Sequence, residues 1–142
     1  MRKLQVWKEL KSISYEWNKI IFPYIKDNSF IGVRVKLGTE DFVIASNDFR
    51  GGKDIKWDNA ISALREKEIR TWSYRQACIT LAYLEDINLI LIKYGGKGLF
   101  DEYWIGAIHS QQFPYFLSTS EHSLQYLNKN IPLKIRPILN NI

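Results

Sequence analysis

Apolar and polar positions alternate with different periods along this chain, and each change of period marks an element. Trp7, Leu10, Trp17, Ile20, Ile21 and Tyr24 recur at steps of three, four and seven, with Lys8, Lys11 and Lys19 largely off the stripe. That spacing predicts an amphipathic helix over residues 1–25, ended by Pro23 and the polar run Asp27-Asn28-Ser29. The period then becomes two. Ile31, Val33, Val35 and Leu37 alternate with Gly32, Arg34 and Lys36, the pattern of a strand with one buried face. Gly38 to Asp41 turns the chain and Phe42-Val43-Ile44-Ala45 returns, which completes a hairpin.

Ser46 to Lys53 holds Asn47, Asp48, Gly51 and Gly52 and is expected to be a loop. Asp54 is placed to cap a helix through Trp57, Ala60, Ile61 and Leu64. A second helix is expected after Ser73, with Ala77, Leu81, Leu84, Ile87 and Leu91 on its buried face and Gly95-Gly96 as its stop. Strand-like runs follow at Tyr103–Ile108, Tyr115–Leu117 and Leu133–Leu139, the last flanked and interrupted by Pro132 and Pro137 as suits an edge strand. Helices and strands segregated in this order predict an α+β fold, two helices packed on a twisted antiparallel sheet with an extra N-terminal helix. The chain of 142 residues has no repeat or long linker, so a single domain 1–142 is expected, with a helical extension 1–28 before a core 29–139.

Composition changes this picture in two places. Aromatic residues reach 14%, with five Trp and eight Tyr, which points to a well-packed core or an adhesive surface. Cys78 is the only cysteine, so no intrachain disulfide forms and a reducing, cytoplasmic setting is expected. Charge returns within the first nine residues before an apolar core of a signal peptide can develop, and the longest apolar runs are far too short to span a membrane. The net charge of +5 is spread thinly along the chain rather than gathered into one stripe.

The residues that carry chemistry are sparse. Cys78, His109 and His122 fall on separate predicted elements, which gives no metal-ligand spacing. The oxygens of Asn47, Asp48, Asp54 and Asp58 lack the spacing of a calcium loop, and turn and cap duty accounts for them. Cys78 lies within an amphipathic helix and reads as a buried small hydrophobe, not a nucleophile. Glu85-Asp86 and Asp101-Glu102 are adjacent carboxylates that point apart or lie in a loop. Gly95-Gly96-Lys97-Gly98 follows a helix and lacks the Ser/Thr of a phosphate loop. No catalytic set, cofactor or metal is therefore expected. The densest basic and aromatic stretch is Arg65, Lys67, Arg70, Trp72, Tyr74 and Arg75, diluted by Glu66 and Glu68. Arg65, Arg70, Trp72, Tyr74 and Arg75 are the residues that would serve a nucleic-acid partner, by stacking bases and pairing phosphates.

Several short motifs together resemble the bacterial C-type-lectin-like domains, relatives of the formylglycine-generating-enzyme-like fold class. Trp57-Asp58-Asn59-Ala60 opens a helix as Trp-x-x-Ala does there; Tyr103-Trp104-Ile105-Gly106-Ala107 resembles the strand after the second helix; Ile135-Arg136-Pro137-Ile138 resembles the closing Val-Arg-Pro-Val strand. The calcium-dependent sugar signature is absent, and one cysteine cannot supply a catalytic pair. The resemblance thus implies a non-catalytic binding module for a protein or other ligand, with recognition loops displayed on one face. Asn47, Asp48, Lys97, Asp101, His109, Gln111 and Gln112 are the ligand-binding candidates on those loops.

Overall fold

The computed structural model describes residues 20–140. In chain order the elements are β1 (Ile21–Lys26), β2 (Ser29–Leu37), β3 (Glu40–Ala45), α1 (Trp57–Glu66), α2 (Tyr74–Ala82), α3 (Leu84–Lys93), β4 (Glu102–Ser110), β5 (Phe113–Ser118), β6 (Ser123–Tyr126) and β7 (Ile138–Leu139). The strands form two antiparallel sheets, one in the order β1-β2-β3-β7 and one in the order β4-β5-β6. The class is α+β, as the segregated pattern predicts.

The hairpin of β2 and β3 stands where alternation places it, with Leu37 opposite Glu40 and Val33 opposite Ile44. Gly32 is obligatory there, because a Cβ would meet the Ile44 carbonyl oxygen at 2.0 Å. The expected N-terminal helix lies outside the described residues up to Lys19, but its end is corrected. Ile21 and Tyr24 belong to β1, not to a helix. The polar triplet read as a helix stop is a hairpin turn: Asp27 and Asn28 take φ of 53° and 65°, and Lys26 pairs with Ser29. Asx residues tolerate the left-handed pair that a two-residue hairpin demands.

Three further expectations are adjusted. Asp54 does not cap α1, which begins at Trp57 behind Lys56; the Asp54 carboxylate instead takes the Lys134 ammonium at 3.2 Å. The single helix expected after Ser73 is two, α2 and α3, divided at Tyr83. In α2 the Thr80 hydroxyl donates to the Gln76 carbonyl one turn back, a bond that loosens and bends helices. Gly95, at φ +87°, ends α3 as expected. The strand expected over Leu133–Leu139 survives only at β7, on the edge of its sheet. Leu133 and Lys134 make isolated bridges to Ile55 and Tyr103, since two prolines withhold the donors of a continuous ladder. β6 was not anticipated, being only four residues long.

The second sheet is a shared wall between two cores. On one side Tyr103, Ile105 and Leu117 join Val33, Val35, Phe42 and Ile44 of the first sheet and Ile79, Ile87 and Leu91 of the helices. On the other side Trp104 and Phe116 pack with Ala60, Ala63 and Leu64 of α1 and with Phe49, Ile55 and Ile135. The period-two geometry of β4 sends neighbours Tyr103 and Trp104 into different cores.

Where the two sheets meet, one cation is fully enclosed. Arg136 Nε donates to Asp48 Oδ1 at 2.9 Å, Nη1 donates to the carbonyls of Ala45 and Lys97, both at 2.9 Å, and Nη2 donates to the Gly98 carbonyl at 3.3 Å. The other Asp48 oxygen accepts from Lys97 Nζ at 2.8 Å. The Arg136 guanidinium lies 5.8 Å from the centre of the Tyr103 ring. Burial first, and the Asp48 carboxylate second, push the Tyr103 hydroxyl up to about 12; the hydroxyl finds no acceptor among the described residues.

Removing the guanidinium strands a buried carboxylate. Arg136→Met is therefore expected to lower stability by about 3–5 kcal/mol in urea unfolding. Arg136→Lys should recover little of it, because one ammonium cannot span a carboxylate and three carbonyls. A wild-type-like midpoint in either variant would contradict this account. Tyr103 adds an alkaline dependence. Its folded pKa of about 12 exceeds the ordinary 10.0, so its contribution is complete below pH 10.0 and fades as pH rises through about 12. Tyr103→Phe should flatten the loss of stability across that window, as measured by unfolding at stepped alkaline pH.

Candidate functional site

The candidate ligand residues do not converge. Asn47, Asp48, Lys97 and Asp101 lie at the end of β4 that begins with Glu102, whereas His109, Gln111 and Gln112 lie at and beyond the other end. Nine residues of strand, about 25–30 Å if fully extended, separate the groups. Within the first group Asp48 is buried with both its oxygens taken by Arg136 and Lys97, so its carboxylate is engaged in the ion network. Asn47 is exposed, with its amide on the Ser46 hydroxyl, and the Asp101 carbonyl accepts from the Thr119 hydroxyl.

The second group meets a structure that the sequence showed only in part. β5 and β6 pair with Tyr115 opposite Tyr126, so both rings lie on one face of the sheet, in phase with Leu117 and Leu124. Nearer Ser118 this face is covered by the main core; toward Phe113 it runs into solvent. Between Ile108 and Ser110 the β4–β5 ladder shifts by one residue, leaving His109 as the extra residue of a bulge. Bulges re-aim side chains, and the His109 ring stacks on Tyr126, with centroids 4.0 Å apart and planes at 12°. Phe113 meets Tyr126 edge-on at 6.1 Å, Tyr115 does so at 6.3 Å, and His109 meets Tyr115 at 5.7 Å. Tyr74, the first residue of α2, closes the cluster edge-on to Tyr115 at 5.0 Å.

Five rings thus form one continuous surface around Tyr126, which is 52% exposed, with Tyr74 at 46% and Phe113 at 39%. Large rings left this open are not satisfying the core, because their burial would contribute more than almost any other side chain. Gln111 and Gln112, both exposed, form the β4–β5 turn beside them. Sequence reading reached His109, the two glutamines with the adjoining Phe113, and Tyr74, but missed Tyr115 and Tyr126. The signal for the missed rings was the alternation Leu124-Gln125-Tyr126, matching Phe113-Pro114-Tyr115.

The basic stretch is divided rather than assembled. Trp72 is fully buried with its indole N–H donating to the Thr80 hydroxyl at 2.9 Å, so it has no face for a base, a correction to its expected role. Arg75 is 3.6 Å from Glu40, and Tyr74 belongs to the ring cluster. Arg65 and Arg70 line a separate groove. Cys78, expected to be buried, is exposed, since it falls one position beyond Ala77 on the helix and so off the apolar stripe. Among the described residues no three His, Cys, Asp or Glu side chains are grouped to hold a metal ion, and no helix is long and apolar enough to cross a membrane.

The chain matches no protein-family model, no curated protein and no solved structure.

Proposed function

We propose that this domain is a non-catalytic binding module that recognises a polypeptide partner through the ring cluster of Tyr74, His109, Phe113, Tyr115 and Tyr126. The observation that carries the reading is a five-ring surface left open around Tyr126, on a strand pair anchored in the core. Tyrosine and other aromatic rings are the side chains that most often dominate the energy of protein–protein contacts. They present large area at little cost in side-chain entropy, and the hydroxyls of Tyr74 and Tyr126 add polar anchors. Gln111 and Gln112 supply amide donors and acceptors at the rim. The scaffold belongs to the same proposal: a C-type-lectin-like arrangement, supported by the helix opened at Trp57, by Tyr103-Trp104 in β4 and by Arg136-Pro137 before β7.

Panning a random-peptide display library on the protein tests the reading. Peptides should be enriched on the wild type and lost on a Phe113→Ala/Tyr126→Ala double variant, with affinity falling at least about tenfold for a surface centred on these rings. Both rings are exposed, so the variant should keep its thermal midpoint within a few degrees. Peptides held equally by the variant, or none enriched at all, would remove the ring cluster as a recognition surface.

A further inference from the structure

A groove of about 550 Å³ lies between α1, the Arg70–Gln76 segment and Asn140. Its size falls within the range of about 300–1,000 Å³ typical of small-ligand sites. What lines it is biased toward donors. Arg65 and Arg70 both line it, and neither makes an ion pair among the described residues. The start of α2 faces the same space through Ser73 and Gln76, whose side chains form a reciprocal cap: Gln76 N–H donates to Ser73 Oγ at 3.1 Å and Ser73 N–H donates to Gln76 Oε1 at 3.0 Å. That cap satisfies two donors and leaves the amides of Tyr74 and Arg75 at the positive end of the helix without intrahelical acceptors.

The remaining polar group is set in the same sense. Gln76 Nε2 donates to Asn140 Oδ1 at 2.9 Å, so what Asn140 retains for a ligand is its NH₂ group. Among the described residues that line the groove, two guanidinium groups and the Asn140 amide stand against one acid, Glu68. Ile61, Leu64 and Ile69 give the groove an apolar side.

We propose that this groove is a binding site for a small organic anion, its phosphate or carboxylate head held by Arg65 and Arg70 and a short apolar or aromatic body lying on Ile61, Leu64 and Ile69. Paired guanidinium groups suit a planar or tetrahedral oxyanion because each offers parallel N–H donors. The site is independent of the ring cluster and of its reading as a polypeptide-binding surface.

Titration of isotope-labelled protein with phenyl phosphate, benzoate and inorganic phosphate, followed by backbone amide resonances, tests the site. Phenyl phosphate or benzoate should shift the amides of Arg70, Ser73 to Gln76 and Gly106 saturably; the tighter of the two identifies the head group. Inorganic phosphate should bind more weakly than phenyl phosphate, since it leaves the apolar side uncovered. Arg65→Gln with Arg70→Gln should raise the dissociation constant at least about tenfold, the change for one charge-assisted bond of ordinary strength. Glu68→Gln should lower it. Both arginines are exposed, so resonances remote from the groove should stay in place in the double variant. Absence of saturable shifts at these amides with all three probes overturns the proposal, as does an affinity that the double substitution leaves unchanged.

Discussion

One buried guanidinium holds the distant parts of this chain in register. Arg136 touches the carbonyl at the end of β3, the carboxylate three residues later and two carbonyls in the segment that leads from α3 to β4. Those partners come from two stretches, residues 45–48 and 97–98, which the Lys97 N–H also joins by donating to the Ser46 carbonyl at 2.7 Å. A fork of fixed geometry with several donors can join them; a flexible side chain or an apolar one could not satisfy the same carbonyls. The charge is tolerated inside only because Asp48 is also inside, and Asp48 is tolerated because Lys97 reaches its second oxygen from the surface. With Arg136 seated, Ile138 two residues on pairs with Ile44, and Lys134 two residues before bonds to the β4 edge.

From that junction the geometry of both the ring cluster and the groove follows. β4 leaves the junction buried on both faces and emerges at its far end, where a one-residue bulge turns His109 onto Tyr126. Midway along, Ile105 to Ala107 part from β5. The Gly106 amide then donates to the Trp72 carbonyl at 2.8 Å and the Trp57 indole donates to the Ile105 carbonyl at 2.9 Å. These bonds draw α1 and the segment before α2 against the sheet, and the groove is the space left between them. Rings and groove are therefore products of two irregularities in one strand.

Legibility in the sequence followed the range of the interactions involved. The β2–β3 hairpin, α1 and the start of a helix after Ser73 were readable because their signals are local: strict alternation and an apolar stripe. The end of the N-terminal stripe misled because Ile20, Ile21 and Tyr24 fit a helical period as well as a strand, and Asp27-Asn28 can stop one or turn the other. Burial of charge was not readable at all. Asp48 looked like a loop acid, since its partner lies 88 residues away. Trp72 looked like a stacking ring among arginines, although the hydroxyl that receives its indole sits eight positions on and only folding brings the two together. The ring cluster was half visible for the same reason: its members come from α2, the β4 bulge, β5 and β6.

The double burial of β4 bears on how the rings would meet a partner. A strand with Tyr103 and Ile105 in one core and Trp104 in the other cannot tilt or slide without opening both. His109 and, through the ladder, Phe113 and Tyr115 are thus carried by a strand whose first half, Tyr103 to Ile105, is held in both cores. If the rings are the contact surface proposed above, part of the ordering cost of association would be met by the ring-on-ring contacts already made in the fold. For a partner of the proposed kind, shape complementarity, more than adaptation, would then govern what docks there.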